Sequence, residues 1–400
     1  MISIDTVVIG AGHAGLAVSR LLTEAGRDHV VLDRGRVGER WRSERWDSLR
    51  LLSPNWMMRL PGWDYQGSNP DGFMSARRFV QHLEQYAESF DAPVVPDTRV
   101  LEVSESGGYR VSTDRDTWRA RQVVIATGPG VPRVPAGLGK VVTAASYRNP
   151  AQLAPGGVLV IGASASGLQI ADELNRSGRE VHLSVGRHTR LPRSYRGKDI
   201  FWWLERTGRL SRTICEVRDA AAARREPSMQ LAGRAGELDL GTLQTDGVRL
   251  LGRYDGTDGA RARFRPDLAE TAAAADARMY RLLDAVDVYS GEVTDTDRPP
   301  ALIAPEPIDA VDLRGAGITT VIVATGYRPD YPWLRLPLCG PDGHIQQSRG
   351  ITAAPGVYVV GQRFQHRRDS GFIDGARHDA ASVVRHLLTG RAACGAEPAA

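Results

Sequence analysis

The chain has 400 residues, 42% hydrophobic and 24% charged, an ordinary globular mix that excludes wholesale disorder and collagen-like repeats. Its 51 lysines and arginines against 47 acids give a net charge of +4, with acids interspersed almost everywhere. No continuous basic face is expected, so no nucleic-acid partner is predicted. No stretch of about 18 uncharged apolar residues exists, and the first residues lack a basic flank before an apolar run, so neither a membrane span nor a secretory signal is predicted.

The first informative element is Thr6-Val7-Val8-Ile9, a β-branched apolar run that reads as a buried parallel strand. It feeds into Gly10-Ala11-Gly12-His13-Ala14-Gly15, and residues 16 to 25 then have helical period until Gly26 stops them. The glycines have physical roles: Gly10 permits a tight turn, Gly12 leaves room for a pyrophosphate, and Gly15 lets helix pack on strand. The helix start offers free N–H groups and a positive dipole end to the phosphate. A second strand, His29 to Leu32, ends in Asp33, where an acid would hold a ribose hydroxyl. Strand, turn, helix, strand and acid together predict a dinucleotide site.

The pattern returns at mid-chain. Gly157 to Ile161 reads as a strand, followed by Gly162-Ala163-Ser164-Ala165-Ser166-Gly167 and a helix over 168–176. Ser164 replaces the middle glycine with a small residue whose hydroxyl can reach phosphate. The paired strand, Val181 to Val185, ends in Gly186-Arg187-His188 with no acid. An arginine there suits a 2′-phosphate, which predicts NADPH over NADH, with Arg190 and Arg193 placed to assist. Two dinucleotide folds imply one resident cofactor and one that comes and goes, a flavin and a nicotinamide dinucleotide. Val123 to Gly128 and Val321 to Gly326 are apolar strands that both end in Ala-Thr-Gly, where small residues would let the backbone pass close to a cofactor.

These motifs, in this order, resemble the flavin-containing and Baeyer–Villiger monooxygenases, and within them the bacterial branch labelled as flavoproteins linked to cation transport. Gly38-Glu39-Arg40-Trp41 is similar to the family's Gly-Gly-x-Trp beside the flavin, and Trp46 to Trp56 resembles the stretch bordering the isoalloxazine. Ala324-Thr325-Gly326-Tyr327 matches the late Ala-Thr-Gly-Tyr, and Gly356 to Gly361 the strand returning to the flavin domain. The likeness runs from Ile4 to about Leu388.

The resemblance implies an α/β fold of two Rossmann-like domains, a discontinuous FAD-binding domain of residues 1–150 and 318–400 and an inserted NADPH-binding domain of residues 151–317. For FAD it implies contacts at Gly10, Gly12, His13, Ala14, Gly15, Asp33, Arg34, Arg40, Trp41, Leu52, Val100, Ala126, Thr127, Gly128 and Gln362. For NADPH it implies Gly162, Ser164, Ser166, Gly167, Arg187, Arg193, Ala324, Thr325 and Gly326. Asn55, three residues past the family's active-site asparagine position at Leu52, and Ser53 are the candidate catalytic side chains. The implied reaction passes hydride from NADPH to a tight, non-covalent FAD and inserts one atom of O2 into a small organic substrate through a flavin C4a-(hydro)peroxide. An oxidase or dehydrogenase without oxygen insertion, and a non-catalytic redox-sensing flavoprotein, are the alternatives. The assembly is left open between monomer and homodimer.

Two departures stand out. In the family fingerprint that ends at Tyr147, Gly137 stands for the phenylalanine and Thr143 for the linker histidine, while Tyr147-Arg148-Asn149-Pro150 is kept. No competing chemistry is visible. Cys215, Cys339 and Cys394 are far apart with no CxxC pair, which points away from a disulfide framework or structural zinc and toward a reducing cytoplasm. The histidines are scattered, and His366 and His378 read as structural. Gly247 to Phe264 suggests a hairpin around Asp255-Gly256, Leu268 to Val288 a helix, and residues 392–400 a loose tail. Trp56, Met57 and Met58, like Phe201, Trp202 and Trp203, read as core.

Overall fold

A computed structural model describes residues 1–291 and 298–389; the expected tail at 392–400 lies outside the described residues. Two parallel sheets carry the fold. In the first, Val94–Val95, His29–Leu32, Ile2–Ile9 and Thr117–Ile125 lie side by side and parallel, and the hairpin Val100–Glu105/Tyr109–Thr113 continues the sheet antiparallel. The nine-residue strand Thr117–Ile125 serves two partners on one edge. Its first half pairs with the hairpin, and residues 123–125 pair with Val357–Val359, which returns from the far end of the chain. That pairing closes the discontinuous domain.

The second sheet has the order Arg249–Leu251, Val181–Ser184, Gly157–Ile161, Ile318–Val323, Val142–Thr143, all parallel. Its members move the expected boundaries. Ile318–Val323 is a strand of the inserted sheet, so the chain leaves that unit only after residue 324, not at 318. Val142–Thr143 already belongs to the same sheet, so the first crossing comes before residue 150. The cause is legible in the pattern: Val321-Ile322-Val323-Ala324 is a buried parallel strand in the same relation to Gly162 as Val123-Val124-Ile125-Ala126 is to Gly10.

The helices begin earlier than the hydrophobic period suggests. They span His13–Glu24 and Ala165–Arg176 because the last residues of each glycine-rich turn form the first helical turn. The long helix is Leu268–Ser290. The hairpin turns at Gly259 (φ +61°) rather than at Asp255-Gly256, pairing Tyr254–Asp258 with Arg261–Phe264, because Arg249–Leu251 is taken up by the parallel sheet.

One continuous apolar cluster joins the two units. Trp46, Leu49, Leu51, Met57 and Met58 pack with Val158, Val160, Leu168, Phe201 and Trp203. Met57, Met58, Phe201 and Trp203 are buried core, as expected, while Trp56 and Trp202 are half-buried against it. Polar ties cross the same interface. Arg59, held by a bidentate pair with Asp374 of its own unit (2.7 and 2.8 Å), reaches across to Glu205 (2.6 Å). Gly233 lies so close to the 46–60 segment that a Cβ there would stand 2.3 Å from the Leu51 carbonyl oxygen.

Candidate dinucleotide-binding sites

The two glycine-rich turns are built alike. A Cβ on Gly15 would fall 1.9 Å from the Gly10 carbonyl oxygen, and one on Gly167 would fall 1.7 Å from that of Gly162. Gly10 (φ +112°) and Gly162 (φ +104°) sit against the carbonyls of Ala126 and Ala324, at 2.5 and 2.6 Å from an added Cβ. These contacts give the two Ala-Thr-Gly strand ends a further role: the Ala126 and Ala324 backbones pass directly under the two glycine turns. Gly12 has open space where its side chain would be. Neither Gly12 nor Ser164 caps its helix with a side chain, so leading N–H groups stay available to a phosphate.

Asp33 braces the first turn. Its carboxylate accepts from the backbone N–H groups of Ala11 (2.7 Å) and Gly35 (2.9 Å). Burial raises its pKa, and those two donors offset part of the rise. Each oxygen keeps a lone pair for a ribose hydroxyl. His13 opens the helix, and burial lowers its pKa to about 4, so it is neutral at ordinary pH. Gly361, at the end of the returning strand, lies against Ala14, 3.3 Å from an added Cβ. Gln362 therefore stands at this helix start; its buried amide nitrogen has no acceptor in hydrogen-bonding geometry, although the Tyr331 hydroxyl is close by.

The other expected flavin contacts divide. Asn55 is buried; its amide nitrogen donates to the Asn69 carbonyl (2.9 Å) and its amide oxygen has no partner. Ser53 and Leu52 are half-buried beside it. Trp41 packs edge-on to Phe79 at 4.9 Å and under the Arg45 guanidinium at 4.8 Å. Arg34 is exposed and paired with Glu44. Arg40 is committed to the crossing chains, donating to the Gly130 carbonyl (2.7 Å) and lying 5.4 Å over Tyr327. Gly128 (φ +75°) neighbours Arg40, and Thr127 is half-buried. Val100 opens the hairpin and packs half-buried against the first sheet's core, while the backbone that meets the Asp33 loop is that of Asp97 and Thr98, which donate to Gly35 (3.0 Å) and Asp33 (2.7 Å) carbonyls.

The residues fit an FAD. A buried acceptor without a donor at Asn55 and a buried donor without an acceptor at Gln362 are the groups a flavin ring, which carries both kinds of edge, could satisfy. Gly12 and the free helix start suit its pyrophosphate.

In the second site Ser164 and Ser166 flank the turn half-buried, and Gly326 is open. Thr325 is taken: its hydroxyl donates to the Arg133 carbonyl, and Arg133 N–H donates to the Gly326 carbonyl (2.9 Å). Arg187 is exposed and donates once, to the Arg225 carbonyl (2.8 Å). The expected helpers are elsewhere. Arg190 is buried between Asp239 and Asp276. Arg193 is 4% exposed and holds Asp199 (2.7 Å) and the Leu52 carbonyl (2.8 Å) between the rings of Phe73 and Phe201, so it is an interface residue. Arg278 stands near Arg187 instead, donating to the His188 carbonyl (2.8 Å); burial first, and then the charges of Arg187 and Arg281, lower its pKa. Nothing in the sequence pairs residues 187 and 278, which come from a strand end and the middle of a long helix. Gln230 was equally invisible: it is buried, bonds the Ala163 carbonyl of the second turn and leaves its amide oxygen unpartnered.

Thr143 shows what replaces the linker histidine. It ends a strand of the inserted sheet and closes a local turn, its hydroxyl accepting from Ser146 N–H (3.2 Å) and its carbonyl from Tyr147 N–H (2.9 Å). Tyr147 is buried and donates to Glu173 (2.7 Å) on the helix of the second turn. Among the described residues no group of three or more His, Cys, Asp or Glu side chains could hold a metal, and no helix is long and apolar enough to cross a membrane.

Two turns of one design on two parallel sheets define a flavoprotein oxidoreductase with two dinucleotide-binding domains. Residues 7–205, just under half of the chain, match the family described as pyridine nucleotide-disulphide oxidoreductase. Over 396 residues it is 29% identical to an uncharacterized oxidoreductase CzcO-like of Geobacillus kaustophilus, covering 96% of this chain and 98% of that one. It is 32% identical over 209 residues to a probable indole-3-pyruvate monooxygenase YUCCA1 of Arabidopsis thaliana, 49% of this chain and 50% of that one. Among solved structures, a mutant of the flavin monooxygenase from Stenotrophomonas maltophilia has the same fold, with a TM-score of 0.68 at 23% identity over 98% of this chain and 99% of that one. The structure of OTEMO in complex with FAD and NADP follows the same fold, with a TM-score of 0.55 at 17% identity over 96% and 85%.

Proposed function

We propose that this flavoprotein is an FAD- and NADPH-dependent monooxygenase that places one oxygen atom of O2 into a small organic substrate. The observation that carries the reading is the pairing of two dinucleotide cradles with no thiol pair to receive electrons. The three cysteines are far apart in sequence, and Cys215 and Cys339 are exposed on different elements. Among the described residues Cys215 and Cys339 are both free, with no partner thiol for a disulfide-reducing relay, which favours O2 as the acceptor.

The flavin, when bound, supplies the redox chemistry. The chain's own residues do the rest. Gly10, Gly12 and Gly15 would take the flavin pyrophosphate and Asp33 the ribose, while Asn55 and Gln362 offer their unpartnered amide atoms to the ring. Gly162, Ser164, Ser166 and Gly167 would take the nicotinamide dinucleotide, with Arg187 and Arg278 on its 2′-phosphate. Leu51, Met57 and Met58 belong to the buried core that carries the Asn55 turn.

The test is NADPH consumption under oxygen-18 gas with a panel of amines, sulfides and ketones. Labelled product in proportion to NADPH supports the reading. NADPH oxidation that yields only hydrogen peroxide with every member replaces it by an oxidase, a reading that Thr143, tied up in its own turn, would then explain.

A further inference from the structure

The two glycine-rich turns share a tie on their inner side. In the first, the Ala11 carbonyl, in the peptide before Gly12, accepts from the Gly38 backbone N–H (3.0 Å). In the second, the equivalent Ala163 carbonyl accepts from the side-chain amide of Gln230 (2.5 Å). A trans peptide is planar, so its C=O and N–H point in opposite directions. A buried donor that holds the Ala163 carbonyl from within therefore turns the Ser164 N–H outward, as Gly38 does for the N–H of Gly12. Among the described residues neither the Gly12 nor the Ser164 N–H has a backbone acceptor, which leaves both to a phosphate.

Gln230 is fixed in this place. It is wholly buried, and its strand, Met229–Gln230, pairs with Thr189–Arg190, where Arg190 is locked between Asp239 and Asp276. The next two carbonyls are held as well. That of Leu231 accepts from Gln169 (3.3 Å), on the helix that follows the second turn, and that of Ala232 from Arg193 (3.3 Å). The Gln230 amide oxygen, by contrast, meets no donor among the described residues. Packing alone would favour methionine or leucine here, because a buried amide with half its groups unpaired is unfavourable. What glutamine adds over them is the one donor on the turn.

We propose that Gln230 is a positioning residue of the nicotinamide dinucleotide site, which aims the Ser164 N–H at the ligand's pyrophosphate by holding the Ala163 carbonyl. The proposal rests on the second turn being the nicotinamide site and is independent of oxygen insertion. The pyrophosphate is common to both nicotinamide dinucleotides, so Gln230 sets affinity for both, whereas Arg187 sets the choice between them. The first turn takes its donor from the backbone; the second depends on a single side chain.

The experiment measures NADP+ and NAD+ binding by calorimetry on the FAD-loaded protein between about pH 5 and pH 8, for the parent, Gln230→Met and Gln230→Glu. Methionine fills the same space without a donor. It should weaken both nucleotides about five- to tenfold at every pH, the worth of one lost hydrogen bond, with FAD content and melting temperature kept. Gln230→Glu is the sharper variant. Burial favours the neutral carboxyl, which can donate to the Ala163 carbonyl as the glutamine does. Once ionised it has no proton to give, and its charge opposes the incoming phosphates. This variant should bind near the parent's level at the acid end and lose both nucleotides as pH rises. NAD+ gives the cleaner profile, having no 2′-phosphate to titrate in this range. A Gln230→Met protein with the parent's affinity overturns the proposal. So does a Gln230→Glu profile that runs parallel to the parent's or to that of Gln230→Met, since a role in packing alone would give no recovery in acid. Loss of NADP+ with NAD+ unchanged also overturns it, by assigning Gln230 to the 2′-phosphate. A parent that binds neither nucleotide removes the nicotinamide reading itself, which is seen before any variant is made.

Discussion

Asp379 offers the sharpest test of the fold's electrostatics. It lies in the first turn of the last helix, Ala376–Thr389, and is 1% exposed. Neither carboxylate oxygen meets a donor in hydrogen-bonding geometry, although the Ser370 hydroxyl is near enough to favour the charged form a little. Burial is the dominant influence, the neighbouring charge of Asp369 adds to it, Arg367 opposes it, and the pKa is raised to about 7. An aspartate in an unfolded chain titrates near ~3.9, so the folded protein holds this proton over about three pH units in which the unfolded chain has released it. The sign follows from linkage: with more protons bound in the folded state, stability falls as pH rises from about 4 to about 7. At 1.36 kcal/mol per unit the full penalty is on the order of 3–4 kcal/mol at pH 8. Asp379→Asn keeps the shape and the neutral state, so it should match the parent near pH 3, exceed it by about 1.5 kcal/mol at pH 5 and by about 4 kcal/mol at pH 8. Thermal unfolding from pH 5 to 9, followed by release of flavin fluorescence, measures this directly. Parallel profiles for the two proteins would refute the reasoning.

Gly15→Ala should abolish FAD binding, since its methyl would meet the Gly10 carbonyl at 1.9 Å; Gly167→Ala, with the same clash at 1.7 Å, should spare the flavin and abolish NADPH binding, as read from the visible spectrum and from NADPH titration. Arg187→Ala and Arg278→Ala should each weaken NADPH by roughly tenfold and leave NADH nearly unchanged; equal loss for both nucleotides would remove the 2′-phosphate assignment. Arg193→Ala should leave the NADPH-to-NADH ratio as it was and lower stability by about 3–5 kcal/mol, because it strands Asp199 and the Leu52 carbonyl in the interface. A changed cofactor ratio in a stable Arg193→Ala protein would restore it to the nicotinamide site.

What the sequence made legible was local. Gly10 to Gly15 and Gly162 to Gly167 could be read because each glycine answers a contact within its own strand–turn–helix unit, and the acid after one second strand and the arginine after the other are fixed by the same short geometry. Arg190 and Arg193 were misjudged for the complementary reason. Nearness in sequence to Arg187 says nothing about direction, and both side chains turn inward to Asp239, Asp276 and Asp199. Arg278 could not be found at all, since only the packing of the long helix brings it to the end of the second strand. The boundary at residue 318 failed because an Ala-Thr-Gly end was read as an exit from the sheet, whereas the residues before it are the sheet.

The crossing chains bear on how the two sites could communicate. Val131–Pro132 and Tyr327–Arg328 pair antiparallel, so the outgoing and returning linkers form one two-stranded ribbon. Gly130 fits there only without a side chain, as a Cβ would lie 2.1 Å from the Arg328 carbonyl oxygen. Arg40 ties this ribbon to the flavin side through Gly130 and Tyr327, and Thr325 ties it to the nicotinamide side through Arg133. Away from the ribbon, Arg59 through Glu205 and Arg193 through the Leu52 carbonyl hold the same two units at separate points. A histidine at position 143 would have to displace the Thr143–Ser146 turn that sets Tyr147. The position of the family's linker histidine is thus taken by a local turn at the edge of the inserted sheet, and a rotation of the two units in this chain has to break the buried bond from Arg193 to the Leu52 carbonyl, which a free hinge would not contain.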